Sequence, residues 1–180
     1  RISSSAMLWL SNNALAALRD KLRTRGKRPV SDSPHSVASP EQLATLEAAQ
    51  ALQPLCDAMY LMMSADGAVG DDEREVLRGA LRNLSEDALR LSHIDAMIGR
   101  SEGFIAENGR ENTLKEVAEA IGDDRARAEV AFVLAAAIAF ADGVIADDEN
   151  ETINAFAEAL GLSEEDANGL LDSLERGEAG

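Results

Sequence analysis

A nine-residue acidic segment occurs twice in this chain, and this repetition constrains the fold more than any other feature. Residues 65–73 read Ala-Asp-Gly-Ala-Val-Gly-Asp-Asp-Glu, and residues 141–149 read Ala-Asp-Gly-Val-Ile-Ala-Asp-Asp-Glu. The two copies are offset by 76 positions and are identical at six of nine. Each copy follows an apolar stretch and is later followed by Leu-Ser-Glu, at residues 84–86 and 162–164. The repetition predicts two helix–loop–helix units that form one body.

The composition favours helices over strands. Aromatic residues make up only 3% of the chain, so the core must consist of Leu, Ile, Val, Met and Ala. Such a chain, rich in Ala and Leu, forms helices readily, and no segment shows a useful length of strand-like alternation. We therefore predict an all-α fold, a single compact bundle. Apart from the first helix, the predicted helices cover residues 71–84, 86–99, 111–121, 125–141, 147–160 and 164–175.

The first helix of the bundle has a well-marked start. Ser39 is a good N-cap, Pro40 suits the first helical position, and Gln42 completes a capping box. Pro54 is predicted to break or kink this helix, with a new segment running to about residue 65. Further N-caps and helix stops are predicted at two serines and two glycines: Ser85, Ser163, Gly122 and Gly161.

The charge divides the chain into two regions. Residues 1–40 comprise a basic amphipathic helix and a linker rich in Ser and Pro, and residues 41–180 comprise the helical domain. The first thirty residues carry a net charge of +6, whereas the remainder carries −22. The acidic domain argues against nucleic acid as a partner and suits cations or basic protein surfaces.

The N-terminal region has three possible partners. A leucine stripe at helical spacing runs through residues 6–26, at Leu8, Leu15, Leu18 and Leu22. The candidate contact residues add a tryptophan and six basic side chains: Trp9, Arg19, Lys21, Arg23, Arg25, Lys27 and Arg28. This segment can dock on an anionic membrane surface, pack on the acidic body of its own chain, or pack on a partner helix.

Other sites are disfavoured by the residues present. The chain has one cysteine, Cys56, and two histidines, which rules out a zinc site built from Cys and His and favours a reducing, cytoplasmic compartment. The longest apolar run, residues 130–141, is too short to cross a bilayer and is predicted to be a buried central helix. Because no nucleophile and base are paired in the sequence, we do not expect an enzyme.

The repeated segment has a purely structural interpretation. Its Asp-Gly pair can end one helix, and its Val69 or Ile145 can turn back into the core. The Asp-Asp-Glu run can then open the next helix, where carboxylates oppose the positive end of the helix dipole. This interpretation needs no ligand.

The spacing also suggests a metal site. Asp-Gly-x-(Val/Ile)-x-x-x-Glu corresponds to the second half of an EF-hand calcium loop. The first half would need acids at four positions that hold other residues here: Met62, Ser64, Ile138 and Phe140. Neither loop is a complete EF-hand, but two half-loops brought together by the pseudo-symmetry could supply oxygen ligands for Ca²⁺ or Mg²⁺.

The paired Ala-Asp-Gly-x-(Val/Ile)-x-x-x-Glu segments in an acidic helical body resemble the TerB-like family, which includes TerB and the N-terminal domain of DjlA-type co-chaperones. The resemblance covers about residues 42–175. It implies a bundle of about seven or more helices. It also implies a divalent-metal site at Asp66, Glu73, Asp142 and Glu149, with Asp71, Asp72, Asp147 and Asp148 as flanking candidates.

The same resemblance implies a place in the cell and a class of partner. It points to a stress-response system at the cytoplasmic face of a membrane, with integral membrane proteins as partners. From the sequence we therefore expect a non-catalytic, divalent-cation-binding interaction module, related to tellurite resistance. The alternative is a metal-free acidic scaffold, whose carboxylates cap helices and dock a basic partner. The two hypotheses differ in whether a divalent cation stabilises the fold.

Overall fold

The protein is an all-α bundle, as predicted. A computed structural model describes residues 39–67, 69–139 and 147–175. Within these ranges the chain forms seven α-helices and one short 3-10 turn and has no β-strand. The helices are α1 (Pro40–Met63), α2 (Asp71–Leu84), α3 (Leu91–Asn108), α4 (Arg110–Ile121), α5 (Arg125–Ala139), α6 (Asp147–Ala159) and α7 (Glu164–Glu175), and the 3-10 turn is Ser64–Asp66.

Helix α1 begins where the sequence predicts it. The Ser39 side chain accepts a hydrogen bond from the Gln42 backbone N–H at 3.2 Å, and the Gln42 side chain accepts one from the Ser39 N–H at 3.0 Å. Pro40 occupies the first helical position, where a missing N–H costs nothing. The predicted capping box is thus confirmed.

Of the break or kink predicted at Pro54, the break is wrong, because α1 continues through the proline to Met63. A proline inside a helix costs about 3 kcal/mol, through one lost hydrogen bond and a clash with the preceding turn. The flanking Leu52 and Leu55 are both buried. Each contributes about 1.5–3 kcal/mol by leaving water. Packing on both sides of Pro54 therefore outweighs the local preference for a break.

Helices α1 and α5 form the centre of the bundle. Every residue from Val130 to Ile138 is buried, so α5 has no solvent-facing side in this stretch. It packs against α1 on one side and against α6 and α7 on the other, while α1 also contacts α2, α3 and α4. The prediction of a buried central helix here is confirmed, although α5 ends at Ala139 within the described residues.

The start of α3 differs from the prediction of a helix over residues 86–99. Glu86 and Asp87 have φ angles of 53° and 61°, so they form a left-handed turn, and the helix begins only at Leu91. Ser85 is not an N-cap as predicted but the C-cap of α2, and its hydroxyl donates to the Arg82 carbonyl at 3.0 Å. The Leu-Ser-Glu triplet therefore ends one helix here.

The predicted helix stops at Gly122 and Gly161 and the predicted cap at Ser163 are confirmed, whereas α3 runs to Asn108, beyond its predicted end at residue 99. Gly122 and Gly161 follow α4 and α6 with φ angles of 67° and 71°, a backbone conformation that glycine adopts without strain. Ser163 caps α7, since its hydroxyl oxygen accepts a hydrogen bond from the Asp166 N–H at 3.1 Å. At its second occurrence, the Leu-Ser-Glu triplet does start a helix.

Candidate functional site

The first acidic motif forms a tight connection between α1 and α2. After Met63 the chain makes the 3-10 turn Ser64–Asp66, and Gly67 follows with a φ angle of 132°. Val69 is partly buried and packs against the core, as the structural interpretation predicts. The motif therefore joins two core helices through a loop that is pinned to the core at one apolar residue.

The acids of this motif lie at the start of α2. Asp71 and Asp72 are exposed in its first turn, where they oppose the positive end of the helix dipole. Glu73 folds back so that its Oε2 accepts a hydrogen bond of 2.6 Å from the Gly70 N–H. Asp66 belongs to the 3-10 turn, but its side chain lies outside the described part of the structure. One predicted ligand is thus engaged as a helix cap.

A half-buried cation lies at the base of this motif. Arg110, the first residue of α4, donates from Nη1 to the Ser64 hydroxyl at 2.9 Å and from Nη2 to the Leu61 carbonyl at 2.8 Å. Its side chain is half-buried, and burial lowers the pKa of this guanidinium, which still keeps its proton. Sequence reasoning missed Arg110, because its two partners lie 46 and 49 positions earlier and leave no local pattern.

The helix that the second motif opens packs against the first motif. Asp147, Asp148 and Glu149 form the first turn of α6, and this helix packs against the 3-10 turn Ser64–Asp66. The side chains of these three acids lie outside the described part of the structure, as does all of residues 140–146, including Asp142. The described backbone therefore brings α6 onto the turn of the first motif, whereas the predicted convergence of the two sets of carboxylates stays a prediction.

A pocket of about 240 Å³ opens beside the two motifs, between the end of α1 and the first turns of α4 and α6. Its lining combines apolar side chains with charged ones: Leu61, Leu114, Ala155, Thr152, Arg110, Glu111 and Glu151. Among the described side chains, no three or more Asp, Glu, His or Cys come together as a metal site would need. Six of the eight predicted ligands lie in the first turns of α2 and α6, and their role as ligands is open to direct test.

A second group of polar side chains lies between α1 and α3. The Ser101 hydroxyl donates to Asp57 Oδ1 at 2.5 Å, and Gln53 Nε2 donates to the same oxygen at 2.9 Å. Burial raises the pKa of Asp57, while these two hydrogen bonds and the charge of Arg100 partly offset the effect. Cys56 lies 3.3 Å from the Ser101 oxygen, and burial raises its pKa to about 12. A thiol that stays protonated at neutral pH is a poor nucleophile, so this group is structural.

The predicted N-terminal contact residues lie outside the described residues. Residues 1–38, which include Trp9 and all six basic candidates, have no described structure. In the part of the chain that is described, no helix combines the length and the apolar character needed to cross a membrane.

Comparison with known proteins agrees with this architecture. The family model of the tellurite resistance protein TerB matches residues 47–171, a span that begins in α1, ends in α7 and contains both acidic motifs. Neither the curated proteins nor the solved structures gave a match. The family model covers well over half of the 180 residues of this chain. The chain therefore belongs to the TerB family of tellurite resistance proteins.

Proposed function

We propose that this TerB-family chain is a non-catalytic interaction module that binds one divalent cation, Ca²⁺ or Mg²⁺, between its two acidic motifs. The observation that supports the proposal is the packing of the 3-10 turn Ser64–Asp66 against α6, the helix that the second motif opens. This packing brings the helix opened by the second motif onto the turn that contains Asp66 of the first, although the two motifs are 76 positions apart in the sequence.

The donor chemistry fits a hard cation. The proposed ligands are all carboxylates, which Ca²⁺ and Mg²⁺ prefer over nitrogen or sulfur: Asp66, Glu73, Asp142 and Glu149, flanked by Asp71, Asp72, Asp147 and Asp148. Glu73 has one oxygen committed to the Gly70 N–H, which leaves its Oε1 for a cation. A bidentate Glu73 would require that cap to open, so the proposal assigns it a single-oxygen contact.

The cation would link the two halves of the bundle. It would join the loop after α1 to the loop after α5, the two central helices, and so fix the surface that both loops present. We infer that this surface serves a protein partner, for example an integral membrane protein of a tellurite-resistance-like stress response at the inner face of a membrane. The strong negative charge of the domain suits a partner surface that is basic.

A second candidate function is a metal-free acidic scaffold for protein interaction. Two described contacts favour it, because each provides, from within the protein, an interaction that a cation would otherwise supply near the first motif. Arg110 supplies a positive charge at the base of the loop, and Glu73 caps α2. In this case the exposed Asp71 and Asp72 would act as docking charges for a basic partner.

Calorimetric titration of metal-stripped protein with Ca²⁺ and with Mg²⁺, at fixed ionic strength, separates the two candidates. The test variant is Asp66→Asn/Asp142→Asn, and the control variant Asp123→Asn/Asp172→Asn removes the same charge from exposed positions elsewhere. Saturable binding by the wild type and the control, lost in the test variant, supports the metal site. A bound cation should also raise the unfolding temperature, because it binds only the folded state.

The absence of binding by folded wild-type protein would refute the metal proposal and leave the acidic scaffold. Stabilisation that NaCl at equal ionic strength reproduces would argue the same way, because it reflects screening of carboxylate repulsion rather than coordination.

A further inference from the structure

The N-terminal half of α1 carries apolar side chains on an uncovered face. Leu43 and Leu46 are 38% and 55% exposed, and the first buried residue of the helix is Leu52, twelve positions after its start. Single exposed leucines are common on protein surfaces. Here two of them lie one turn apart on the same helix, at the end where residues 1–38 join the bundle.

The other side of the same turns is occupied by the protein itself. The Thr45 hydroxyl lies 3.4 Å from the Ala88 carbonyl oxygen, and Glu41 lies 4.0 Å from Arg90. Thr45 and Glu41 are one turn apart and therefore share a face of the helix, directed at the loop before α3. Leu43 and Leu46 lie on a different face, which no described residue covers.

The segment that precedes α1 has a pattern that matches this face. Residues 6–26 place four leucines on one helical stripe, and the twelve residues 27–38 connect the segment to Ser39. Twelve residues can extend over about 40 Å, so the segment can turn back and run antiparallel to α1. Most of the stability of a helix in a protein comes from the packing of its apolar face, so the segment needs a packing partner.

Charge favours the same arrangement. In an antiparallel hairpin, the basic end of the segment, residues 19–28, lies next to the first turns of α1. Those turns expose Glu41 and Glu47, and the neighbouring turn exposes Asp87. The first thirty residues carry +6 and the rest of the chain −22, so attraction guides the segment towards the bundle.

We propose that residues 6–26 fold back onto the bundle of the same chain as an additional helix, antiparallel to α1. Leu22 and Leu18 then cover Leu43 and Leu46, and the basic side chains of the segment lie beside the acids of α1. The proposal is independent of the metal site, since it involves neither acidic motif.

Hydrogen exchange followed by mass spectrometry on the full chain tests this docking. The test variant is Leu43→Gln/Leu46→Gln, and the control is Ala44→Gln/Ala51→Gln, which alters two exposed positions on the same helix roughly a third of a turn away. We expect amides of residues 6–26 to exchange at least about 10-fold more slowly than in a peptide of residues 1–38. The test variant should lose this protection, and the control should keep it.

A second readout uses Trp9, which is the only tryptophan of the chain and lies within the segment. Its fluorescence anisotropy should decay with the tumbling of the whole protein in the wild type and faster in the test variant. Unchanged protection of α5 would verify that both variants keep the core intact. Raising the salt concentration should speed exchange of the segment, because it screens the opposing charges.

Three results would overturn the proposal. Equal exchange of residues 6–26 in the wild type and the test variant would mean that Leu43 and Leu46 are not the docking site. Protection that falls on dilution, together with a dimer mass in sedimentation equilibrium, would assign the face to a second copy of the chain. Protection that appears only with phosphatidylserine vesicles would assign the segment to a membrane surface instead.

Discussion

Arg110 provides the most direct test of how the first acidic motif is held in place. Its guanidinium joins the first residue of α4 to the end of α1, by hydrogen bonds of 2.8 Å to the Leu61 carbonyl and 2.9 Å to the Ser64 hydroxyl. The Arg110→Ala substitution removes both donors at once. The loop that carries Asp66 then loses its only described link to α4 through a charged side chain.

The expected cost follows from these two bonds. A hydrogen bond to a charged donor contributes about 1.5–3 kcal/mol to stability. Two effects reduce the sum, because the variant no longer carries the desolvation cost of the half-buried guanidinium and because water can enter from the adjacent pocket, which Leu61 lines. We therefore expect Arg110→Ala to lower the free energy of unfolding by about 2 kcal/mol, which corresponds to a fall in Tm of about 4–8 °C for a chain of this size.

Urea unfolding followed by far-UV circular dichroism measures this change. Lys115→Ala is a matched control on the same helix, since Lys115 forms only an exposed pair with Glu111 at 3.2 Å and should cost under about 0.5 kcal/mol. Arg110→Lys should fall between the two, because one ammonium cannot reproduce the forked geometry of a guanidinium. If Arg110→Ala costs no more than Lys115→Ala, the assignment of Arg110 as the clamp of the motif is refuted.

Three further measurements test other parts of the structure. Gly122→Ala should destabilise the protein by about 1 kcal/mol in urea unfolding, because φ is 67° there, whereas Gly79→Ala inside α2, with open space around it, should stabilise by about 0.5–1 kcal/mol. Cys56 should resist thiol reagents in the folded protein and react fully in urea, since a pKa of about 12 rather than 9.0 lowers the thiolate fraction about 1000-fold; rapid labelling of the native state would refute this. Asp57 has a raised pKa in the folded state, so its favourable contribution is complete at about pH 3 and is lost as the pH rises through that pKa. The stability of wild type relative to Asp57→Asn should therefore fall between about pH 3 and pH 7, and a constant difference would contradict the raised pKa.

The sequence predicted structure correctly where that structure depends on residues a few positions apart. The capping box of Ser39 and Gln42 and the glycine stops at residues 122 and 161 depend on contacts within a few positions, and all are as predicted. The buried helix α5 follows from an apolar run that leaves no polar side for solvent. The internal repeat suggested that the two motifs come together, and the structure shows that α6, the helix opened by the second motif, packs against the 3-10 turn of the first.

Predictions failed where distant contacts decide the outcome. The break at Pro54 did not occur, because burial of Leu52 and Leu55 against other helices stabilises α1 through the proline. The Leu-Ser-Glu triplet at residues 84–86 predicts the start of a helix, but in the structure it ends α2. The triplet at residues 162–164 differs in following Gly161, which ends α6 before Ser163 caps the next helix. The clamp at Arg110 joins positions almost fifty residues apart and is visible only in three dimensions.

The polar group between α1 and α3 also restricts how this pair of helices can vary. Their contact is otherwise built from side chains such as Met97, which tolerate a slip of one helical turn at little cost. A slip of that kind would strand the amide of Gln53 and the carboxyl of Asp57 without their present partners, and would leave the Ser101 hydroxyl only the Met97 carbonyl of its own helix, at 3.2 Å. The three residues thus favour a single register of α3 against α1. Related sequences should exchange them as a set, for instance for three apolar residues, and a chain that replaces one alone should pack α3 in more than one position.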